Sequence, residues 1–172
     1  MNEFVTQINA RRSIRAYTGE SVSDAQLKTI IDCGMHAPSA HNRQPWVFLT
    51  ITEKDKLREI SPLCKWWGML PSAGAVIITC MNTSLTEGFA EEFSIASCCA
   101  ATENMLLAAG ALGLGAVWLG VCRESEFYED FCRVIALPEE LRVISMIAVG
   151  VPAEQKEAAE RFAPGKWFRE HF

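Results

Sequence analysis

Residues 91–109 carry the longest helical pattern in this 172-residue sequence, and the pattern is apolar on nearly every side. Ile95, Cys98 and Met105 recur at helical spacing, while small residues fill most of the remaining positions. A helix without a polar face must be covered all round, either in a core or between subunits. Because one domain of this size has a limited core, we expect this helix to lie at a subunit interface.

The stretch from Met105 to Cys122 contains no charged residue and just reaches the length of a membrane span. Gly110, Gly113 and Gly115 interrupt it, and glycines weaken a continuous helix. We interpret the stretch as a helix end, a glycine turn and a buried strand, so we expect no membrane partner.

The sequence opens without a basic segment followed by an apolar one, so no secretory signal is predicted. Its seven cysteines are an odd number and lack metal-binding spacing with one another or with histidine. Reduced, mostly buried thiols are therefore expected, and the predicted location is cytoplasmic.

Helical and strand patterns alternate without strict β-α-β repetition, which predicts one α+β domain over residues 1–172. A capping box at Ser23 and Gln26 starts a helix that we expect Gly34 to end in a left-handed cap.

Two prolines and the Trp66-Trp67 pair suggest a loop or loose lid at 61–72. Four aromatic residues in the charged tail, 153–172, indicate an arm that packs on something. The predicted strands are 46–51, 75–81, 116–121 and 143–149, and the other helices are 4–11, 53–60 and 125–132.

The first candidate site is the segment RRSIR at residues 11–15, in a chain of net charge −5. That charge argues against a nucleic-acid partner, so any anion must be held by a local cluster. Arg11, Arg12, Ser13 and Arg15 suit a phosphate, because guanidinium groups match its oxygens in a planar fork. A basic surface turn after a helix would look the same.

Two further segments are candidates. Residues 37–46 offer hydroxyl and carboxamide groups that could bind the edge of a flat ring, although ordinary turn chemistry explains them as well. Residues 113–120, GLGAVWLG, follow a helix and open a strand, which is the reverse of a dinucleotide fingerprint. A ring could lie over this strand's amides, or the glycines could serve helix packing.

Taken together and in this order, the motifs resemble the FMN-dependent nitroreductase family. The resemblance extends over nearly the whole chain. The matching segments are RRSIR at 11–15, APSAHNRQPW at 37–46, NMLLAA at 104–109, GLGAVWLG at 113–120, PEEL at 138–141, GVP at 150–152 and RF at 161–162.

The resemblance implies an α+β fold with a mixed or antiparallel sheet, in an intertwined homodimer that exchanges C-terminal arms. FMN would lie at the interface. Its phosphate would be held by Arg11, Arg12, Ser13 and Arg161, and its ring edge would meet Arg15. The amides of Leu119 and Gly120 would face N5. The other subunit would contribute Pro38, Ser39, Ala40 and Asn42, with Gln44 nearby.

Two positions depart from the family pattern. Ser97 stands where many relatives carry an aspartate, and Ala40 replaces a frequent serine. These changes put local polar contacts in doubt. The region from Lys65 to Gly88, where relatives differ most, is expected to border the substrate.

The implied activity is an NAD(P)H oxidoreductase that reduces nitroaromatics, quinones or similar small acceptors by ping-pong transfer of two electrons. No side chain is expected to be catalytic and no metal is expected, because FMN carries the redox chemistry. Trp66 and Trp67 could form an aromatic wall over the acceptor, or simply anchor their loop. The alternatives are a relative that dehalogenates a substrate or fragments flavin, and a non-enzymatic FMN carrier or scaffold dimer.

Overall fold

The computed structural model describes residues 2–86, 88–157 and 159–172. Its centre is a four-stranded sheet in the order β1-β2-β4-β3, with every neighbouring pair antiparallel. A single parallel bridge joins Ser13 to Ala116 at the β3 edge. The strands are β1 (Trp46–Ile51), β2 (Ala75–Asn82), β3 (Gly115–Leu119) and β4 (Leu141–Gly150).

Helices cover both faces of the sheet. On one face, α2 and α4 bury residues such as Ile30 and Met105 against β2 and β4. On the other, α3, α5 and residues 61–72 surround a core that contains Leu57, Trp67 and Phe131. The α+β prediction is confirmed. The helices are α1 (Glu3–Ala10), α2 (Asp24–Met35), α3 (Lys54–Ile60), α4 (Glu91–Ala111) and α5 (Tyr128–Val134).

The long helix α4 buries one face within the chain and leaves the other partly exposed. Its inward positions include Cys98, Thr102 and Met105, all fully buried. The Thr102 hydroxyl lies 2.7 Å from that of Ser145 and donates to the Cys98 carbonyl at 2.9 Å, so this polar group is satisfied in the core. Its outward side includes Leu107, which is half-buried. Among the described residues, no helix is both long and apolar enough to span a membrane.

The predicted capping box is present, since the Ser23 side chain accepts from the Gln26 backbone and Gln26 reaches back to Ser23. The predicted glycine cap is wrong. Gly34 is a buried residue inside α2, and the helix continues to Met35. A Cβ on Gly34 would lie 2.8 Å from Met105 Cγ, so this glycine allows α2 to approach α4 closely.

Residues 61–72 are not a loose lid. They form two short 3₁₀ turns, Ser61–Leu63 and Leu70–Ser72, around Trp67. Trp67 is 1% exposed. Its ring packs edge to face against Phe127 and Phe131, with ring centres 4.8 and 5.1 Å apart. Trp67 therefore anchors the segment, whereas Trp66 is 70% exposed.

The aromatic residues of the C-terminal arm stay exposed within one chain. The ring centres of Phe162 and Trp167 lie 5.9 Å apart, and those of Phe168 and Phe172 lie 5.4 Å apart. Each of the four is more than half exposed. The start of the arm is held against residues 12–16 through Glu154, Lys156 and Glu157. The four aromatic side chains that follow remain exposed in one chain, and arm exchange stays a prediction.

Candidate functional site

The arginine-rich segment runs from the end of α1 along the outer edge of β3. The Ile14 amide donates to the Ala116 carbonyl at 3.0 Å. The buried Tyr17 hydroxyl donates to the carbonyls of Ile14, at 2.7 Å, and Ala148, at 3.1 Å. Desolvation by burial raises the pKa of Tyr17 well above its ordinary value, so the phenol stays a donor. These bonds fix the backbone that carries the predicted cations.

A carboxylate and an ammonium group that the sequence analysis missed also hold this segment. Glu154 Oε1 accepts the amide of Arg15 at 2.5 Å and that of Ala16 at 3.2 Å. Lys156 Nζ donates to the Ser13 carbonyl at 2.6 Å and lies 3.3 Å from Glu154 Oε1. The Arg15 amide, more than any other group, lowers the pKa of Glu154. More than 130 positions separate the partners, so no local pattern could indicate this contact.

Arg11, Arg12 and Arg161 line one groove of about 790 Å³ between α1 and the C-terminal arm. Arg11 and Arg12 also border a smaller groove of about 320 Å³ that includes Lys156. The structure thus brings together three cations that the sequence analysis assigned to a phosphate, and it adds a fourth nearby.

The Arg12 guanidinium is largely occupied by backbone acceptors. Its Nε donates to the Glu157 carbonyl at 2.8 Å, and Nη1 donates to those of Asn9 and Arg11 at 2.8 and 2.6 Å. Within residues 2–86, 88–157 and 159–172, its buried Nη2 has no acceptor. Arg11 pairs with Glu103 of α4 at 3.3 Å. A buried donor without an acceptor favours an anion at this position.

A second cleft, also of about 790 Å³, opens where β3 ends. Arg15, Leu119 and Gly120, which the sequence analysis assigned to the ring end of the cofactor site, all line this cleft. Its wall also includes Lys65, Trp66 and Trp118. No aspartate or glutamate belongs to the described lining.

The loop at 37–46 is closed by its own polar groups. The Gln44 amide donates to Ser39 Oγ at 3.0 Å, and the Gln44 side chain donates to Asn42 Oδ1 at 2.9 Å. Asn42 and Gln44 both have positive φ values, 54° and 48°. The Ala40 amide donates to Ser97 Oγ at 3.2 Å, so the serine in place of the family's aspartate still binds the loop. Pro38 is exposed at the start of the loop.

Within one chain, this loop does not face the arginine-rich segment. The loop leads into β1 at one edge of the sheet, and Leu119 and Gly120 end β3 at the other edge. Three strand spacings separate these edges, about 14 Å. Within one subunit the predicted site is therefore divided into two parts.

The fold, with helices on both faces of a four-stranded antiparallel sheet, and the cationic segment on its edge define the class as a nitroreductase-type α+β protein. The sequence model of the Nitroreductase family matches residues 8–75 and 65–151. The chain belongs to this family.

Individual relatives agree with this chain over nearly all of its length. An Archaeoglobus fulgidus protein named "Putative NADH dehydrogenase/NAD(P)H nitroreductase" is 38% identical over 99% of both chains. The crystal structure of a "putative nitroreductase in complex with FMN" from Desulfovibrio desulfuricans is 32% identical, with a TM-score of 0.87 over 100% of this chain and 99% of that one. The NADPH-flavin oxidoreductase of Vibrio harveyi is 29% identical over 94% of this chain and 70% of its own length.

Proposed function

We propose that this chain is an FMN-dependent NAD(P)H oxidoreductase that acts as a homodimer and reduces small organic acceptors such as nitroaromatics and quinones. The observation that carries the proposal is the position of residues 11–15. Arg11 and Arg12 of this segment line the two grooves beside α1. Arg15 of the same segment lines the cleft at the end of β3. The segment therefore offers positive charge in the grooves, where a phosphate could bind, and in the adjoining cleft, where the attached ring could bind.

The residues present fit FMN. Arg11, Arg12 and Arg161 would hold the phosphate together with the Ser13 region. The buried Arg12 Nη2, which has no acceptor among the described residues, supports an anion there. Arg15, Leu119 and Gly120 would hold the ring edge. When bound, FMN supplies the two-electron chemistry between nicotinamide and acceptor.

The divided site supports the homodimer. A second copy would bring its residues Pro38, Ser39, Ala40, Asn42 and Gln44 to the ring, because the chain's own loop lies at the far edge of the sheet. The half-exposed outer side of α4 and the exposed aromatic residues of the C-terminal arm support the same arrangement. Arm exchange between subunits is part of this proposal.

The protein's own contribution to the reaction is binding, orientation and charge. Arg15 would oppose negative charge that develops at the ring edge, and it is preorganised for this because Glu154 fixes its backbone. Since donor and acceptor would share the single cleft beside Arg15, we propose that they bind alternately, in ping-pong order.

Purified protein supplied with FMN and titrated anaerobically with NADH and NADPH tests the proposal. We expect flavin absorbance at one FMN per chain, bleaching by at least one nicotinamide, and recovery on addition of a nitroaromatic or quinone. A protein that binds no FMN would contradict the assignment. Bound FMN that neither nicotinamide bleaches would indicate a carrier instead.

A further inference from the structure

Lys65 and Trp66 stand together at the mouth of the cleft beside Arg15. Lys65 Nζ lies 5.0 Å from the centre of the Trp66 ring. Both side chains are exposed and both line the cleft. An ammonium group stacked on an indole offers a flat apolar surface with a positive charge at its edge.

The backbone beneath this pair is rigid. The Trp67 amide donates to the Cys64 carbonyl at 2.9 Å, and Ser61 Oγ donates to the Trp67 carbonyl at 3.1 Å. Trp67 itself is packed between the rings of Phe127 and Phe131. The backbone of the neighbouring Trp66 is thus fixed at the opening, so the ordering cost of binding is confined to its side chain.

The charge of the cleft is unusual for this protein. The whole chain carries a net charge of −5, yet the described lining of the cleft includes Arg15 and Lys65 and no carboxylate. In the proposed function Arg15 serves the cofactor. Lys65 is then left as the positive group nearest to an incoming molecule.

We infer that Lys65 and Trp66 form a recognition site for flat aromatic acceptors that carry an anionic substituent, such as a carboxylate or sulfonate. The inference rests on the proposed function and specifies its substrate class. Trp66 stacks on the acceptor ring and Lys65 pairs with its anion. Neither residue takes part in the electron transfer itself.

Steady-state kinetics with two matched acceptors, 4-nitrobenzoate and 4-nitrobenzamide, tests the inference in the FMN-loaded dimer. Removing an exposed ion pair costs up to about 1 kcal/mol, so Lys65→Gln is expected to raise KM for 4-nitrobenzoate about three- to fivefold. KM for the neutral amide and kcat for both acceptors should change less than about twofold, and Lys65→Arg should keep the wild-type preference. Trp66→Ala should raise both KM values about three- to tenfold, because stacking does not depend on the acceptor's charge.

Lys28→Gln is the matched control, since Lys28 is exposed on α2, across the sheet from the anchor of Trp66. Equal changes with both acceptors, or no change with either, in Lys65→Gln would overturn the inference. An increase in KM for NADPH but not for NADH or the acceptors would overturn it too, because Lys65 would then bind the donor's phosphate.

A binding measurement separates this inference from the proposed function. Titration with 4-nitrobenzoate is expected to quench tryptophan fluorescence in the wild type, with weaker affinity in Lys65→Gln and less quenching in Trp66→Phe, where Trp118 still lines the cleft. If the protein lacks NAD(P)H oxidation but shows this pattern, the proposed function fails and the recognition site stands. If it oxidises NAD(P)H without charge-dependent quenching, the recognition site fails alone.

Discussion

The backbone amide of Ala40 donates a 3.2 Å hydrogen bond to the hydroxyl of Ser97, which joins the loop before β1 to the long helix α4. Ser97 Oγ in turn donates to the Phe93 carbonyl at 2.7 Å, and the serine is 5% exposed. The loop thus depends on α4 for its position. In the proposed dimer, this bond would set how the loop meets the partner's cofactor.

Replacement of Ser97 with alanine removes this acceptor and leaves the Ala40 amide without its partner. One hydrogen bond contributes about 1 kcal/mol, so we expect the free energy of unfolding to fall by about that amount and the FMN dissociation constant to rise about three- to tenfold. Urea unfolding and flavin fluorescence titration measure the two effects. Ser21→Ala, at an exposed position, is the control. Unchanged FMN affinity in Ser97→Ala would show that the loop does not cover the cofactor.

Simultaneous replacement of Arg11 and Arg15 with alanine removes positive charge from both ends of the proposed FMN site. We expect the variant to lose FMN, because hydrogen bonds to charged groups contribute about 1.5–3 kcal/mol each. The proposed dimer should remain folded, since the backbone of the segment is held by Tyr17 and Glu154. Absorbance of the flavin per chain, circular dichroism and gel filtration are the measurements.

The matched control for the arginine pair is Arg58→Ala, at an exposed position on α3 where Arg58 Nη1 lies 2.7 Å from Asp55 Oδ1. It should keep one FMN per chain. Stoichiometric FMN in the Arg11→Ala/Arg15→Ala variant would place the site elsewhere.

The sequence predicted the elements whose signals are local. The strands predicted at 46–51 and 75–81 follow from short apolar runs, and the capping box of α2 follows from capping chemistry. The structure has all three within a residue or two. Gly34 was misjudged because close helix packing and a helix end both require glycine. The arginines could be found because they are adjacent in sequence. Glu154 and Lys156 could not, because only the folded chain brings them to residues 13–16.

Gly115 allows the arginine-rich segment to approach β3. A Cβ at this position would lie 2.6 Å from Ile14 Cγ2 and 3.1 Å from the Pro152 Cβ. Gly115→Ala is therefore expected to lower the free energy of unfolding by about 1–3 kcal/mol and to weaken FMN binding by displacing the segment.

A double-mutant cycle provides the control for Gly115. If the clash with Ile14 is the cause, Gly115→Ala should cost less in an Ile14→Ala background than in the wild type, and thermal unfolding of the four proteins measures the coupling. Equal costs in both backgrounds would assign the effect to the Ile14 Cβ, which the alanine retains 2.9 Å away, to Pro152 or to the strand itself.

Glu154 predicts a pH dependence of stability. Hydrogen bonds from the backbone amides of Arg15 and Ala16 favour its ionised form, and the pKa of this carboxyl lies below its ordinary value. A carboxyl whose pKa is lowered on folding stabilises the native state above its unfolded pKa, about 4.3, and loses this contribution as the pH falls through the folded pKa.

The melting temperature of Glu154→Gln should therefore lie below that of the wild type at pH 6–7, and the two should converge as the pH falls through the lowered pKa of Glu154. Differential scanning calorimetry from pH 3 to 7 gives the comparison. Glu139→Gln, at an exposed turn, controls for loss of one charge. A constant difference between Glu154→Gln and the wild type across this range would show that ionisation of Glu154 does not contribute.

The cysteines are expected to differ sharply in reactivity, because only thiolates react rapidly with maleimides. Burial raises the pKa of both Cys80 and Cys98 to about 12, so at pH 8 only about one in ten thousand of these thiols is ionised. Cys122 is exposed and donates to Glu124 Oε2 at 2.6 Å.

N-ethylmaleimide should label Cys122 first in the native protein, and Cys80 and Cys98 should be labelled only after unfolding in urea. Peptide mass spectrometry identifies the sites, and Cys122→Ser should remove the fastest label. Labelling of Cys98 in the native state at the rate of Cys122 would mean that α4 opens far more often than its packing against β2 and β4 implies.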